Sequence, residues 1–330
     1  MEGIKLLVTK ELVSQIFEEE VLKKLEEFGK LEKWEGEDIR EFLAGATIII
    51  TSWNSPMLKE EILQIAPNLR FIFHAAGTIK PYVDRKLMEK GIRVSCASNI
   101  QARCVATTNL AYILLSAKKI FWWNEHIKSS GGWRDNEFLW NHTDEICYLN
   151  IGIISMSWVG RYTLSFLKEF TKNIFVYDPY WKGEEIEKYG GKKVDDLLAL
   201  ARECDIICLC APLTEETRGM IGKDFFEAMK DGSVFINTAR GGIIQWEALM
   251  EELEEGRIFA VLDVTDPNEP LPPDSKLRKL KNVIISPHIA GCVRSGLKDM
   301  GRFCVEEIER FIKGETLINE VKLERLDITA

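Results

Sequence analysis

The sequence predicts an α/β fold: a doubly wound parallel domain accompanied by a second parallel α/β domain. Three observations predict it. Short apolar runs alternate with amphipathic stretches over the first hundred residues, the alternation restarts at Leu149, and an aromatic-rich polar segment divides the two series. Consecutive strands separated by helices lie parallel, since a parallel neighbour is reached only through a crossover.

In the first series the strands are KLLVT (5–9), ATIIITSW (46–53), RFIFHAAG (70–77) and RVSCA (93–97), with helices near 11–28, 57–65 and 81–90. A long helix near 102–120 follows. It leads into a polar segment that holds Trp122, Trp123, Trp133 and Trp140 and reads as an arm over 121–147. The second series has six strand-like runs, NIGIIS, NIFVYDP, DIICLCAP, SVFINTA, FAVLDV and NVIISPH, with helices near 159–171, 194–203, 222–229 and 245–255. A last helix near 295–313 and a tail pack back on the first domain. The expected division is 1–101 with 292–330 for one domain and 102–291 for the other, arm included.

Composition narrows the function classes. With 330 residues, 46% of them hydrophobic and 29% charged, the chain suits about two globular domains. Its 43 basic and 52 acidic residues leave a net charge of −9 with no basic block, which argues against nucleic acid and anionic membrane partners. The N-terminus enters an apolar run directly, so a cytoplasmic location is expected. Most of the eight cysteines lie in apolar runs and read as reduced core thiols, and the four histidines are scattered without metal-ligand spacing. No metal is expected.

A strand, a tight turn and a helix follow one another in NIGIISMSWVGRY (150–162), and Asp178 ends the next strand at dinucleotide-binding spacing. A diphosphate is received best at a helix N-terminus, here Ser157, Trp158, Val159 and Gly160, where free N–H groups and the dipole meet the anion. The usual fingerprint has three glycines where Ser155, Ser157 and Gly160 stand, so only the third is kept. The serine side chains either crowd the diphosphate or bond to its oxygens. A carboxylate at Asp178 accepts from ribose hydroxyls and repels a 2′-phosphate, favouring NAD over NADP; read alone, Asp178-Pro179 is equally a strand-ending turn.

Three downstream segments, NTARGG (237–242), LDVTDPNEPLPPDS (262–275) and SPHIAG (286–291), resemble signatures of the D-isomer-specific 2-hydroxyacid dehydrogenase family. The likeness runs from FIFHAAG (71–77) to Gly314. It implies a Rossmann-type NAD domain beside a flavodoxin-like substrate domain. It also implies interconversion of a small 2-oxo acid and a D-2-hydroxy acid, of glyoxylate, hydroxypyruvate or 3-phosphoglycerate type. Arg240 then holds the substrate carboxylate, His288 is the acid–base residue and Glu269 its carboxylate partner. Asp263 contacts the nicotinamide carboxamide; Pro212, Thr217, Thr238, Ala239 and Gly291, with Arg240 and His288, pass along the cofactor. The N–H groups of Ala76 and Gly77 help bind the substrate, in a site between the domains. The arm is either a homodimer seam or a lid on its own subunit. Besides the serines at 155 and 157, Thr107 departs, standing where the family has a glutamate. Taken singly, Arg240 reads as a surface charge, Glu269 as a turn residue and His288 as a structural histidine; their joint order carries the reading. The rival classes are a catalytically silent NAD-binding sensor, like the family's corepressor relatives, and a pseudo-enzyme without cofactor.

Overall fold

Parallel strands covered on both faces must be apolar throughout, and the central strands of this protein are. Its computed structural model describes residues 2–328. The chain divides into two compact units, Met1–Ala102 with Cys292–Ala330, and Arg103–Gly291.

The first unit holds β1 (Glu2–Leu7), β2 (Gly29–Lys33), β3 (Ile48–Thr51), β4 (Phe71–His74) and β5 (Arg93–Cys96) in one parallel sheet, ordered β2-β1-β3-β4-β5. This is the flavodoxin-like order. Every residue of β3 and β4 is buried. Helices Lys10–Ile16, Glu19–Phe28 and Ser295–Lys313 share one hydrophobic cluster with β1, β3 and β4, where Phe311 stacks on Phe71 with ring centroids 4.6 Å apart. The buried Glu307 carboxylate, which accepts from Ile318 N–H at 2.8 Å and Asn319 N–H at 3.2 Å, fastens the C-terminal segment behind that helix.

Two expectations change here. The helix expected over 11–28 is two helices, because Phe17 leaves helical geometry (φ −109°, ψ 103°) and is buried in the core. The helix expected near 57–65 is only a 3-10 turn, Glu60–Gln64, in a stretch bounded by Pro56 and Pro67. β2, with the sequence GKLEK, was not expected at all. It lies at the sheet edge with only Gly29 fully buried, so it shows neither alternation nor an apolar run.

The second unit is a seven-stranded parallel sheet: β6 (Ile151–Ile154), β7 (Ile174–Tyr177), β8 (Lys192–Val194), β9 (Ile206–Leu209), β10 (Val234–Asn237), β11 (Phe259–Leu262) and β12 (Val283–Ile285). The order β12-β11-β10-β9-β6-β7-β8 contains the doubly wound pattern, with its topological switch between β6 and β9. The seventh strand, β8, escapes the sequence for the reason β2 does: it is a short, polar edge strand, KKV. The long helix is Ser98–Ala117, four residues earlier at its start than expected. The arm is helical, with helices Ile120–Ser130 and Glu137–Asn141. Trp122 belongs to the core, its ring 4.4 Å from Phe259, whereas Trp133 and Trp140 are exposed. Among the described residues no helix is long and apolar enough to cross a membrane.

Candidate active site

The carboxyl ends of β6, β7 and β9 form the crevice where an open α/β sheet receives its ligand. Ser155 follows β6 at φ +85°, a left-handed conformation that disfavours an L side chain. Its Oγ donates to Asp178 Oδ2 at 3.3 Å, and Met156 N–H donates to the same oxygen at 2.7 Å. Asp178 Oδ1 accepts from Tyr180 N–H at 2.8 Å. The buried Asp178 therefore holds both its own turn and the one after β6. Ser157 caps helix Trp158–Leu167, its Oγ accepting from Gly160 N–H at 3.3 Å and donating to the Cys210 carbonyl at 2.7 Å. Glycine is required at 160, because a Cβ there would meet the Ser155 carbonyl oxygen at 1.9 Å. The neighbouring Arg161 guanidinium lies 3.9 Å from the Trp158 ring and 5.5 Å from Trp181. Tyr180 donates its hydroxyl to Glu216. After β9, Thr217 Oγ1 donates to the Pro212 carbonyl at 2.6 Å, which folds that loop on itself.

Arg240, Glu269 and His288 lie beyond the ends of β10, β11 and β12. Asn237 shapes the first loop, accepting from Ala239 N–H at 2.9 Å and donating to the Arg240 carbonyl at 3.2 Å. A Cβ on Gly241 would meet the Thr265 backbone at 2.6 Å, so the glycine lets the loops after β10 and β11 approach. Desolvation draws the Arg240 pKa down even though the residue is exposed, while the Glu269 charge opposes the shift; a guanidinium stays charged either way. The Glu269 carboxylate stands 2.8 Å from His288 Nδ1, with both side chains nearly half exposed. Nε2 is left as the ring's other proton-carrying atom. His288 has φ +53° and is held by Asp263, whose carbonyl accepts His288 N–H at 3.0 Å. The Asp263 carboxylate, almost wholly buried, accepts from Ile289 N–H at 3.0 Å, Ala290 N–H at 2.9 Å and the Ser286 hydroxyl. The geometry thus offers a fixed cation, an imidazole–carboxylate pair and an anion-receiving helix end in one unit.

Residues 110–290 match the model of the D-isomer specific 2-hydroxyacid dehydrogenase, NAD binding domain. The chain belongs to the D-isomer specific 2-hydroxyacid dehydrogenase family. Among family members it is 31% identical to a D-3-phosphoglycerate dehydrogenase of Methanocaldococcus jannaschii, over 96% of this chain and 60% of that protein. It is 28% identical to a glyoxylate reductase of Korarchaeum cryptofilum, over 94% of this chain and 95% of that protein. A solved phosphoglycerate oxidoreductase from Rhizobium etli superposes with a TM-score of 0.81 at 25% identity, over 97% and 99% of the two chains. The chain thus spans about 60% of the Methanocaldococcus jannaschii phosphoglycerate dehydrogenase, yet nearly all of the other two proteins.

Against the family's signatures, the remaining residues fall as follows. Thr238 is buried and its hydroxyl donates to Asn109 Oδ1 at 2.6 Å, so its side chain points into the unit. In the first unit, Ala76 N–H is taken by the His74 carbonyl at 2.8 Å, and a Cβ on Gly77 would meet Gln101 Oε1 at 2.3 Å. Thr107, a further departure from the family pattern, is exposed and bonds back to the Arg103 carbonyl at 3.0 Å within its helix. The sequence reading did not single out Asn109, Tyr112, Asn237 or Ser286. Their signal is polarity inside apolar stretches, as in TTNLAYILL, and it is meaningful only once the strand ends are placed.

Proposed function

We propose that the protein is an NAD(H)-dependent oxidoreductase that interconverts a small 2-oxo acid and a D-2-hydroxy acid. The observation that carries this reading is the Glu269–His288 pair at 2.8 Å, set at the strand ends with Arg240. Arg240 holds the substrate carboxylate with its forked donors. His288 gives a proton from Nε2 to the carbonyl oxygen in reduction and takes it back in oxidation, and Glu269 on Nδ1 fixes the ring and supports its cationic form. NADH, when bound, supplies the hydride. The N-terminus of helix Trp158–Leu167 fits a diphosphate, and Asp178 sets a negative charge against a 2′-phosphate. A 2-oxo acid of the glyoxylate, hydroxypyruvate or 3-phosphohydroxypyruvate kind suits the guanidinium, and the named relatives support that range. The exposed Trp133 and Trp140 support a homodimer through the arm, which the mass in solution checks.

The test is a titration with NADH and, separately, NADPH, followed by a screen of 2-oxo acids. Binding of NADH over NADPH with turnover of a 2-oxo acid is the expected result. NADH binding without turnover of any acid would favour the sensor class, and no nucleotide binding would favour a pseudo-enzyme.

A further inference from the structure

Helix Ser98–Ala117 carries a polar stripe in its second half. Thr108, Asn109 and Tyr112 are near neighbours on one side of the helix, within an otherwise apolar run. Each reaches a different part of the site. Thr108 Oγ1 donates to the Ala290 carbonyl at 3.1 Å, and Tyr112 Oη donates to Ser286 Oγ at 2.9 Å; the Ser286 hydroxyl passes on to Asp263. Ser286 and Ala290 bracket His288. Asn109, wholly buried, accepts from Thr238 Oγ1 at 2.6 Å, two residues before Arg240. Its Nδ2 faces Thr163 Oγ1 at 3.3 Å and Cys210 Sγ at 3.7 Å, which ties in the helix behind the diphosphate turn and the end of β9.

We propose that this side of one helix sets the spacing between the Arg240 guanidinium and the His288 imidazole, with Asn109 and Tyr112 as positioning residues for the two loops. The inference rests on Arg240 and His288 being the reacting pair. Its physical ground is the cost of looseness. His288 holds a left-handed conformation, which persists only where surrounding bonds over-determine it. The two loops leave different strands, so a fixed distance between them needs a common support. A displacement of about 1 Å between reacting groups lowers rates roughly a hundredfold. A buried amide satisfied on both ends is a rigid support, because breaking either bond leaves a polar group stranded.

The experiment uses the full chain with Tyr112→Phe, Asn109→Ala and, should the latter not fold, Thr238→Val. Amide hydrogen exchange reads each loop without any substrate, and steady-state kinetics read the site. Tyr112→Phe should speed exchange over 286–291 and lower kcat about tenfold with KM for the 2-oxo acid little changed. Asn109→Ala and Thr238→Val should speed exchange over 238–242 and raise that KM about tenfold. Exchange in β6 and β11 should not move. Unchanged exchange at both loops overturns the proposal, and so does a uniform rise that includes β6 and β11, which marks a general structural role. A parent protein that reduces no 2-oxo acid would sink the dehydrogenase reading, while the exchange pattern would still decide whether the helix positions the loops.

Discussion

His288 and Ser155 both hold a left-handed conformation, at φ +53° and +85°, whereas Ser157 does not. His288→Gln removes the proposed proton donor but leaves the crevice intact, so kcat should fall by roughly 10² to 10⁴ while the NADH dissociation constant stays within a few fold. Unchanged turnover would take His288 out of the mechanism. Replacing either serine with glycine restores the usual fingerprint, yet the two changes should have opposite signs. Ser155 sits at φ +85° and its hydroxyl makes only two long bonds, donating to Asp178 and accepting from Ser157 N–H, each at 3.3 Å, so Ser155→Gly should stabilise the fold by roughly 0.5–1 kcal/mol. Ser157 caps a helix and ties it to β9, so Ser157→Gly should destabilise by about 1–2 kcal/mol. Urea unfolding of both variants decides, and a common sign would refute the account. At this scale the joint order of Arg240, Glu269 and His288 is what singles out the proposed reacting residues in the sequence, whereas the tasks of Asp178 and Asp263 stayed hidden. Each aspartate turns its carboxylate on the backbone of its neighbours, and only the folded loops show that.

Among the elements, what the sequence conceals is where polar residues serve structure. β2 and β8 are edge strands held by ladder bonds rather than burial, so their sequences carry no periodicity to detect, while buried strands such as β3 and β9 are plain to read. The junction between helices Ser98–Ala117 and Ile120–Ser130 is another case. Lys119 occupies it at φ +50°, buried, with Nζ 3.4 Å from the Ser116 carbonyl and over the rings of Phe259 and Trp122. Desolvation brings its pKa down to about 8. The unfolded chain, with the ordinary value of 10.5, therefore binds more protons between pH 8 and 10.5, and stability should rise with pH across that window. At pH 7 the buried charge costs about 3 kcal/mol, partly offset by the rings. Lys119→Met should raise stability at pH 7 by about 1–2 kcal/mol and flatten the alkaline rise, as denaturant unfolding at pH 7 and pH 9.5 would read. A Met variant that is less stable at pH 7 would show that the rings and the Ser116 carbonyl outweigh desolvation.

For the whole molecule, two sheets with different strand orders give two units that need not respond alike to solvent. Both orders follow from alternation and right-handed crossovers, which is why the architecture was legible even with two strands missing. Acid response was not legible, since part of it turns on the burial of one histidine. His74 ends β4 in the first unit, stacked on Tyr82 with Nδ1 2.9 Å from Thr51 Oγ1, and desolvation lowers its pKa from 6.5 to about 3. The native state thus refuses a proton that the unfolded state takes up between pH 6.5 and 3, so stability is complete above that window and falls as pH drops through it. At pH 4.5 the loss should be about 3 kcal/mol. It belongs to the unit that contains His74. Hydrogen exchange, corrected for its intrinsic pH dependence, should therefore quicken in β1 to β5 on going from pH 7 to pH 4.5 while β6 to β12 change much less. His74→Asn should begin less stable at pH 7 but show a smaller acid loss in the first sheet. Equal quickening of both sheets, or an undiminished acid loss in the variant, would place the acid sensitivity in other groups.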